Sequence, residues 1–291
     1  MFQKARSHCL RALVAVALPL TVVHFNANEA MPSLTVGSGT RTSENRSLPQ
    51  FDKLELHIPV EFNIRRGDKI TCVLSGDDNI IPLISTVVTD RCLQISATGG
   101  YAPRQKLFVT IDVPVLKGIV SDAPGKIAVG SRVLRAGTGR VEVVSKSTAS
   151  ITIADVNAEN LLVVSNGTGG ITIADVTAKK VVEVVKKGTE NITMTHLAAD
   201  RLLIKSNATG VMTAKGKVKE LSAILEGTER LKLAGLESAK AEITHSGTGV
   251  AEVWVTETLT AEASGTGNIM YSGSPSQIHS SGDGPGKVIK K

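Results

Sequence analysis

The stretch SGTGNIMYSG, residues 264–273, contains a tripeptide, GTG, that recurs at 137–139, 167–169 and 247–249. Variants stand between these copies: STA at 147–149, GTE at 188–190, ATG at 208–210 and GTE at 227–229. With the central threonine of each unit as origin, Thr148, Thr168, Thr189, Thr209, Thr228, Thr248 and Thr266 follow at intervals of 20, 21, 20, 19, 20 and 18 residues. A near-constant period of this length marks a repeat architecture.

The residues flanking each threonine say which architecture. Three and five positions after it stand Ile151/Ile153, Ile171/Ile173, Ile192/Met194, Met212/Ala214, Leu231/Leu233, Ala251/Val253 and Ile269/Tyr271. Seven and five positions before it stand Val141/Val143, Leu161/Val163, Val182/Val184, Leu202/Ile204, Leu221/Ala223, Ala241/Ile243 and Leu259/Ala261. Apolar residues two apart lie on one side of a strand. Each unit therefore supplies two short strands with inward aliphatics, and no unit can bury its own apolar side. Stacking does so, and the fold expected is an all-β, right-handed β-helix-like solenoid of about 20-residue coils with an N-terminal β cap. Glycine suits the corner each coil must turn, through positive φ or close backbone approach. At a rise of about 4.8 Å per coil, seven coils make a rod of about 34 Å.

Both ends of such a rod present open strand edges. The expected organisation is a targeting segment at 1–30, a flexible linker at 31–50 rich in Ser, Thr, Gly and Asn, and one domain over 51–291. Within that domain, strand-like runs such as KLELHIPV and KITCVLS make 51–120 a cap. Residues 121–291 carry the repeats, and the tail after Gly273 covers the far end.

Composition agrees with strands. Aromatics are 3% of the chain, so the core is aliphatic, and the net charge is +6. Setting aside Lys4, Arg6, Arg11 and Glu29 from the 33 basic and 27 acidic residues leaves +4. That is too mild and scattered for nucleic acid. Lys4, Arg6 and Arg11 precede ALVAVALPLTVVHF, residues 12–25, which is short for a membrane span and reads as a signal peptide or N-terminal anchor. Export makes the protein secreted, periplasmic or cell-surface. The oxidising compartment then favours a disulfide between Cys72 and Cys92, with two buried thiols as the alternative.

The C-terminal TLTAEASGTGNIMYSGSPSQIHSSGDGPGKVIKK resembles the end of the family called putative auto-transporter adhesin, head GIN domain. The features that carry the likeness are the S-G-x-G turn at 264–267, the strand ending in Tyr271 with Pro275 after it, and the closing SSGDGPGKV. FDKLELHIPVEFNIRRG, CLQISATGG and LFVTIDVPVLKGIVSDAPGKI fit its beginning, so the resemblance covers about 51–291. It implies an exported, adhesin-like β-helix. It supplies no catalytic residues, and its motifs are structural turns. Several middle corners depart from it, carrying Glu or Ala where the family prefers Gly.

No pattern points to a catalytic residue, a cofactor or a metal. Asp155, Asp175 and His196, each seven after a repeat Thr, would stack near enough to share a cation. Gly216 and Gly235 hold the same offset, which favours an ordinary corner. His57, His196, His245 and His279 lack metal spacing and read as surface or turn residues. The acids are spread singly rather than paired for glycoside cleavage, which leaves a polysaccharide-acting enzyme as the alternative to a binding module, with a passive spacer as the third class. Thr152, Thr172, Thr193 and Thr213 form an outward rank with no parallel rank beside it. Asn45, Asn166, Asn191 and Asn207 head Asn-x-Ser/Thr sequons.

One surface feature bears on partners. Outward positions of the strand before each repeat Thr are mostly polar, but Leu162, Val164, Val185, Leu203 and Ile224 are not. Stacking gathers these five into a candidate contact patch, and bare patches are uncommon on monomers. The expected cover is the segment 51–120 folding back over it. The alternative is an unknown surface protein or glycan, or self-association.

Overall fold

In the computed structural model residues 34–291 are described, and the targeting segment assigned to 1–30 lies outside them. Ile151, Ile171, Ile192, Met212 and Leu231 occupy successive rungs of one parallel ladder. Val143, Val163, Val184, Ile204 and Ala223 occupy successive rungs of another. All ten are buried. These aliphatic columns line a β-solenoid of about nine turns. Each coil's backbone bonds to the coils on either side, so only the two ends leave strand edges open.

The coil has three walls rather than the two expected. In the strand Ser150–Ser165 the first wall is 150–153 and the third is 160–165. Between them Val156 and Ala158 point inward, stacked on Val176 and Ala178 and then on Leu197 and Ala199. This second wall offers only two inward residues per coil, too short a run for alternation to be read. The turn 166–169, carrying GTG, closes the coil.

At that turn glycine is required by contact. A Cβ on Gly249 would overlap the Glu229 carbonyl oxygen, and one on Gly167 would overlap that of Ser147. Neither has positive φ. The GTG at 137–139 is different in kind: it lies in an irregularity between Ala136 and Arg140, where a Cβ on Gly137 would meet nothing within 4 Å.

The segment 51–120 does more than cap. Lys53–Leu56 and Glu61–Arg66 pair in parallel with Gly118–Ser121 and Lys126–Val129, forming a coil of the solenoid. The chain then makes the outermost coil with Cys92–Ala97 and Phe108–Val113 before returning to the opposite side of its first one. Antiparallel strands finish that end: Ile84–Thr89 on Cys92–Ala97, and Thr71–Asp77 on Phe108–Val113. Arg41–Arg46, expected within a flexible linker, is the edge strand on Thr71–Asp77. Thr35–Val36 pairs with Tyr101–Ala102. At the far end Gln277–Ser281 and Val288–Lys290 add a partial coil instead of covering the last one.

The expected disulfide is not formed. Cys72 and Cys92 are both buried thiols. Cys72 pairs with Arg46 and Ile111 on the first wall, whereas Cys92 pairs with Lys53 and Thr89 on the third. Burial pushes the Cys72 thiol up to about 11, so it is protonated and a poor nucleophile at neutral pH.

Candidate functional site

The outward side of the third wall carries two columns. One runs Val120, Val144, Val164, Val185, Lys205, Ile224, Thr244. Its neighbour runs Glu142, Leu162, Glu183, Leu203, Ser222, Glu242. All five patch residues therefore share this wall, as the spacing implied. Leu162, Val164, Val185 and Leu203 are half-buried and Ile224 is exposed. They do not form one unbroken patch, because Glu183 separates Leu162 from Leu203 and Lys205 separates Val185 from Ile224. Arg140 Nη2 reaches Glu183 Oε2 at 3.2 Å and its Nε lies 3.8 Å from Glu142, so the guanidinium ties the two carboxylates flanking Leu162.

The expected intramolecular cover is absent. Glu55 and Gln94 sit on the rungs beyond Val120, so the N-terminal segment lengthens this wall instead of folding over it. Each of its strands finds a hydrogen-bonding partner in the stack, which removes the reason for a lid.

Beside the columns runs a groove of about 380 Å³ whose lining includes Arg201, Leu203, Glu220, Ser222, Lys240 and Glu242. Arg201, Glu220 and Lys240 follow one another up the corner, and Arg201 Nε meets Glu220 Oε2 at 2.8 Å. Charges of both signs thus alternate along the rod axis beside an apolar Leu203. This groove and the valine column form one amphiphilic strip that an extended molecule could follow.

Asp155, Asp175 and His196 do stack in register. Asp155 Oδ1 accepts the Arg132 backbone N–H at 2.9 Å, and His196 Nδ1 lies 3.1 Å from Asp175 Oδ1 with both side chains open to solvent. Gly216 and Gly235 are not their equivalents: Gly216 pairs with Leu197 and Gly235 with Lys215 after a slip in register. Among the described residues no group of three His, Cys, Asp or Glu is placed to hold a metal ion. Thr152, Thr172, Thr193 and Thr213 stack outward, but Ala128 and Lys232 bound the row at four. The four sequon asparagines are exposed.

Sequence reasoning missed a polar seam inside the solenoid, where the third wall meets the GTG turn. Ser121, Ser145, Ser165, Lys186, Ser206, Leu225 and His245 form one inward column. Glu190 and Glu229, which replace the second glycine of the turn, also point in and are buried. Ser145 and Ser165 donate to the two Glu190 carboxylate oxygens at 2.9 and 2.8 Å. Lys186 Nζ lies 2.6 Å from Glu229 Oε1. His245, expected on a surface or turn, is fully buried. Its Nε2 faces the Gly249 carbonyl at 2.9 Å while its Nδ1 accepts the Gly247 N–H at 3.2 Å, which places the proton on Nε2. The signal was present: Glu standing in a glycine position, and Lys in a serine column.

No helix among the described residues is long and apolar enough to cross a membrane. The family model described as putative auto-transporter adhesin, head GIN domain, matches residues 50–181 and 165–275. Among solved structures, a putative adhesin from Parabacteroides distasonis ATCC 8503 is 23% identical, covers 89% of this chain and 100% of its own, and superposes with a TM-score of 0.63. A putative lipid binding protein from the same strain is 19% identical over 89% of this chain and 100% of its own, with a TM-score of 0.64. A putative adhesin from Parabacteroides merdae ATCC 43184 is 18% identical over 89% and 99%, with a TM-score of 0.57. No curated protein is significantly similar. At these identities the likeness to solved structures is one of fold.

Proposed function

Because the chain belongs to the putative auto-transporter adhesin, head GIN domain family, we propose that it is a non-catalytic, exported surface protein that meets its partner along the outward side of the third wall. The single observation that carries this reading is the alignment of Leu162, Val164, Val185, Leu203 and Ile224 on that wall beside the Arg201–Glu220–Lys240 groove. Half-buried aliphatics supply contact area, and the flanking charges supply orientation. The straight strip, repeating at the coil rise, suits an extended surface protein or glycan better than a compact small molecule. The family and two of the three solved neighbours carry adhesin names, in keeping with a surface location.

The test is the double substitution Leu162→Lys with Leu203→Lys, compared with the unmodified protein for binding to arrays of glycans and extracellular-matrix proteins. Intact folding with lost binding supports the strip as the contact face. Unchanged binding to a partner that the native protein captures would move the contact elsewhere on the molecule. A polysaccharide shortened by the native protein would favour the enzyme reading instead.

A further inference from the structure

The interior seam holds an amine and a carboxyl group that surface binding does not use. Lys186 heads the largest fully buried side chains, and Glu229 is 2% exposed. Lys186 Nζ donates to the Thr209 carbonyl oxygen at 2.5 Å and lies 2.6 Å from Glu229 Oε1. That approach is close but not angled as a hydrogen bond, and neither Glu229 oxygen accepts one. Ser206, on the rung next to Lys186 in the same column, is also buried with its hydroxyl unpartnered. A buried ion pair whose carboxylate lacks hydrogen bonds gains little over apolar residues of the same shape. The same geometry suits two reactants held together.

We propose that Lys186 and Glu229 condense into an intramolecular amide that ties together coils two turns apart. A proton passes from the ammonium to the carboxylate, leaving a free amine and a carboxylic acid. Nζ attacks Cδ of Glu229, forming an N–C bond. The tetrahedral intermediate then breaks one C–O bond and releases that oxygen as water, carrying away two of the three hydrogens first held by nitrogen. No electrons are gained or lost and no co-reactant is needed. Fixed strands hold the groups in contact, and intramolecular geometry of this kind can be worth effective concentrations of about 10⁵ M or more. A surface cleft of about 280 Å³ lined by Lys187, Thr209 and Thr228 lies at this same corner and gives the water an exit. The product is neutral, so it relieves the core of both charges. It also fastens covalently across coils that a solenoid otherwise holds mainly through nearest neighbours, a useful property for a chain loaded at its surface.

The experiment is peptide mapping of the folded, purified full chain after denaturation and trypsin digestion. A branched species is expected that joins VVEVVKK (181–187) to ELSAILEGTER (220–230), lighter by one water than the two peptides together. Fragment ions should place the branch at Lys186 and Glu229. Linear peptides alone, with cleavage after Lys186, overturn the proposal, and this result needs no variant to fold. Lys186→Arg should abolish the branch, and a branch persisting there also overturns the assignment. Glu229→Gln should form the same link with loss of ammonia instead of water.

Discussion

At the N-terminal end the parallel stack is closed by antiparallel strands, whereas at the C-terminal end it stops as an edge. The closed end is pinned by carboxylates. Asp77, fully buried, accepts the backbone N–H groups of Gly39, Arg104 and Gln105 at 2.7, 2.9 and 2.8 Å. Asp112 takes Arg65 Nε and Nη2 at 2.7 and 2.9 Å and the Thr71 hydroxyl at 2.8 Å. The edge strand there reads RTSENR, charged and unattractive to a further strand. At the other end Ile278 continues the inward column above Leu259, yet is 45% exposed. That tail carries Gly282, Gly284, Pro285 and Gly286 with Lys287, Lys290 and Lys291, residues that blunt an edge without covering it. The difference teaches that coil stacking propagates by one rule but is stopped by local chemistry peculiar to each end.

The largest expected effect tests whether the ends share one core. Ile171 is fully buried and the adjacent Thr172 is exposed. Ile171→Asp should cost several kcal/mol, because an unpaired carboxylate would replace packed aliphatic surface. Thr172→Asp should stay within about 0.5 kcal/mol. Hydrogen exchange should show both ends losing protection together in Ile171→Asp. Loss at one end only would make the ends independent, and equal destabilisation by the two substitutions would contradict the register.

A smaller effect should separate the ends. Asp77→Ala leaves three backbone N–H groups without their acceptor, an expected cost of about 1–3 kcal/mol, confined to the segments around Arg41–Arg46 and Thr71–Asp77. Acid should do the same. Burial raises the Asp77 carboxyl, but the N–H groups of Gln105, Gly39 and Arg104 and the Arg104 charge outweigh it and hold the group below its ordinary value. The hydrogen bond from Arg65 depresses Asp112 likewise. A carboxylate depressed by folding stabilises fully above its unfolded pKa of about 3.9 and loses that contribution as pH falls through the lower folded value. Protection at the N-terminal end should therefore fade below about pH 4, before that of Gln277–Ser281 changes. Simultaneous loss at both ends would remove the carboxylates from the explanation.

The smallest effect concerns the open edge. Ile278→Thr should change stability by less than about 0.5 kcal/mol, since the side chain is already half in water. Its consequence should lie in solubility: sedimentation at high concentration should show less association than for the native protein if this edge is the sticky one. Unaltered association would place any self-contact elsewhere.

How much of this was legible follows from how local each signal is. Alternation in pairs such as Leu161/Val163 and Ile171/Ile173 is a property of the strand itself, so the inward columns, the coil period and the outward position of Leu162 and Val185 could be read directly. The second wall could not, because two inward residues such as Val156 and Ala158 are too few to show a period beside the corner at Asp155. Nor could the end of each column. Whether segment 51–120 lay over the third wall or lengthened it depended on which strand edge was free to bond. Cys72 and Cys92 looked like partners by compartment and number, but the chain carries them to different walls.

The glycine corners mark the division most clearly. By itself the amino-acid order determined a stacked β-solenoid, its coil length and its aliphatic interior, because burial of one side of each strand is written at period two. Only the tertiary structure decided that Gly249 lies under a carbonyl while Gly137 faces open space. It likewise decided that Glu190 and Glu229 turn inward to meet serines and Lys186. Those outcomes depend on which coil rests on which, and that is a contact between residues about 20 or more apart.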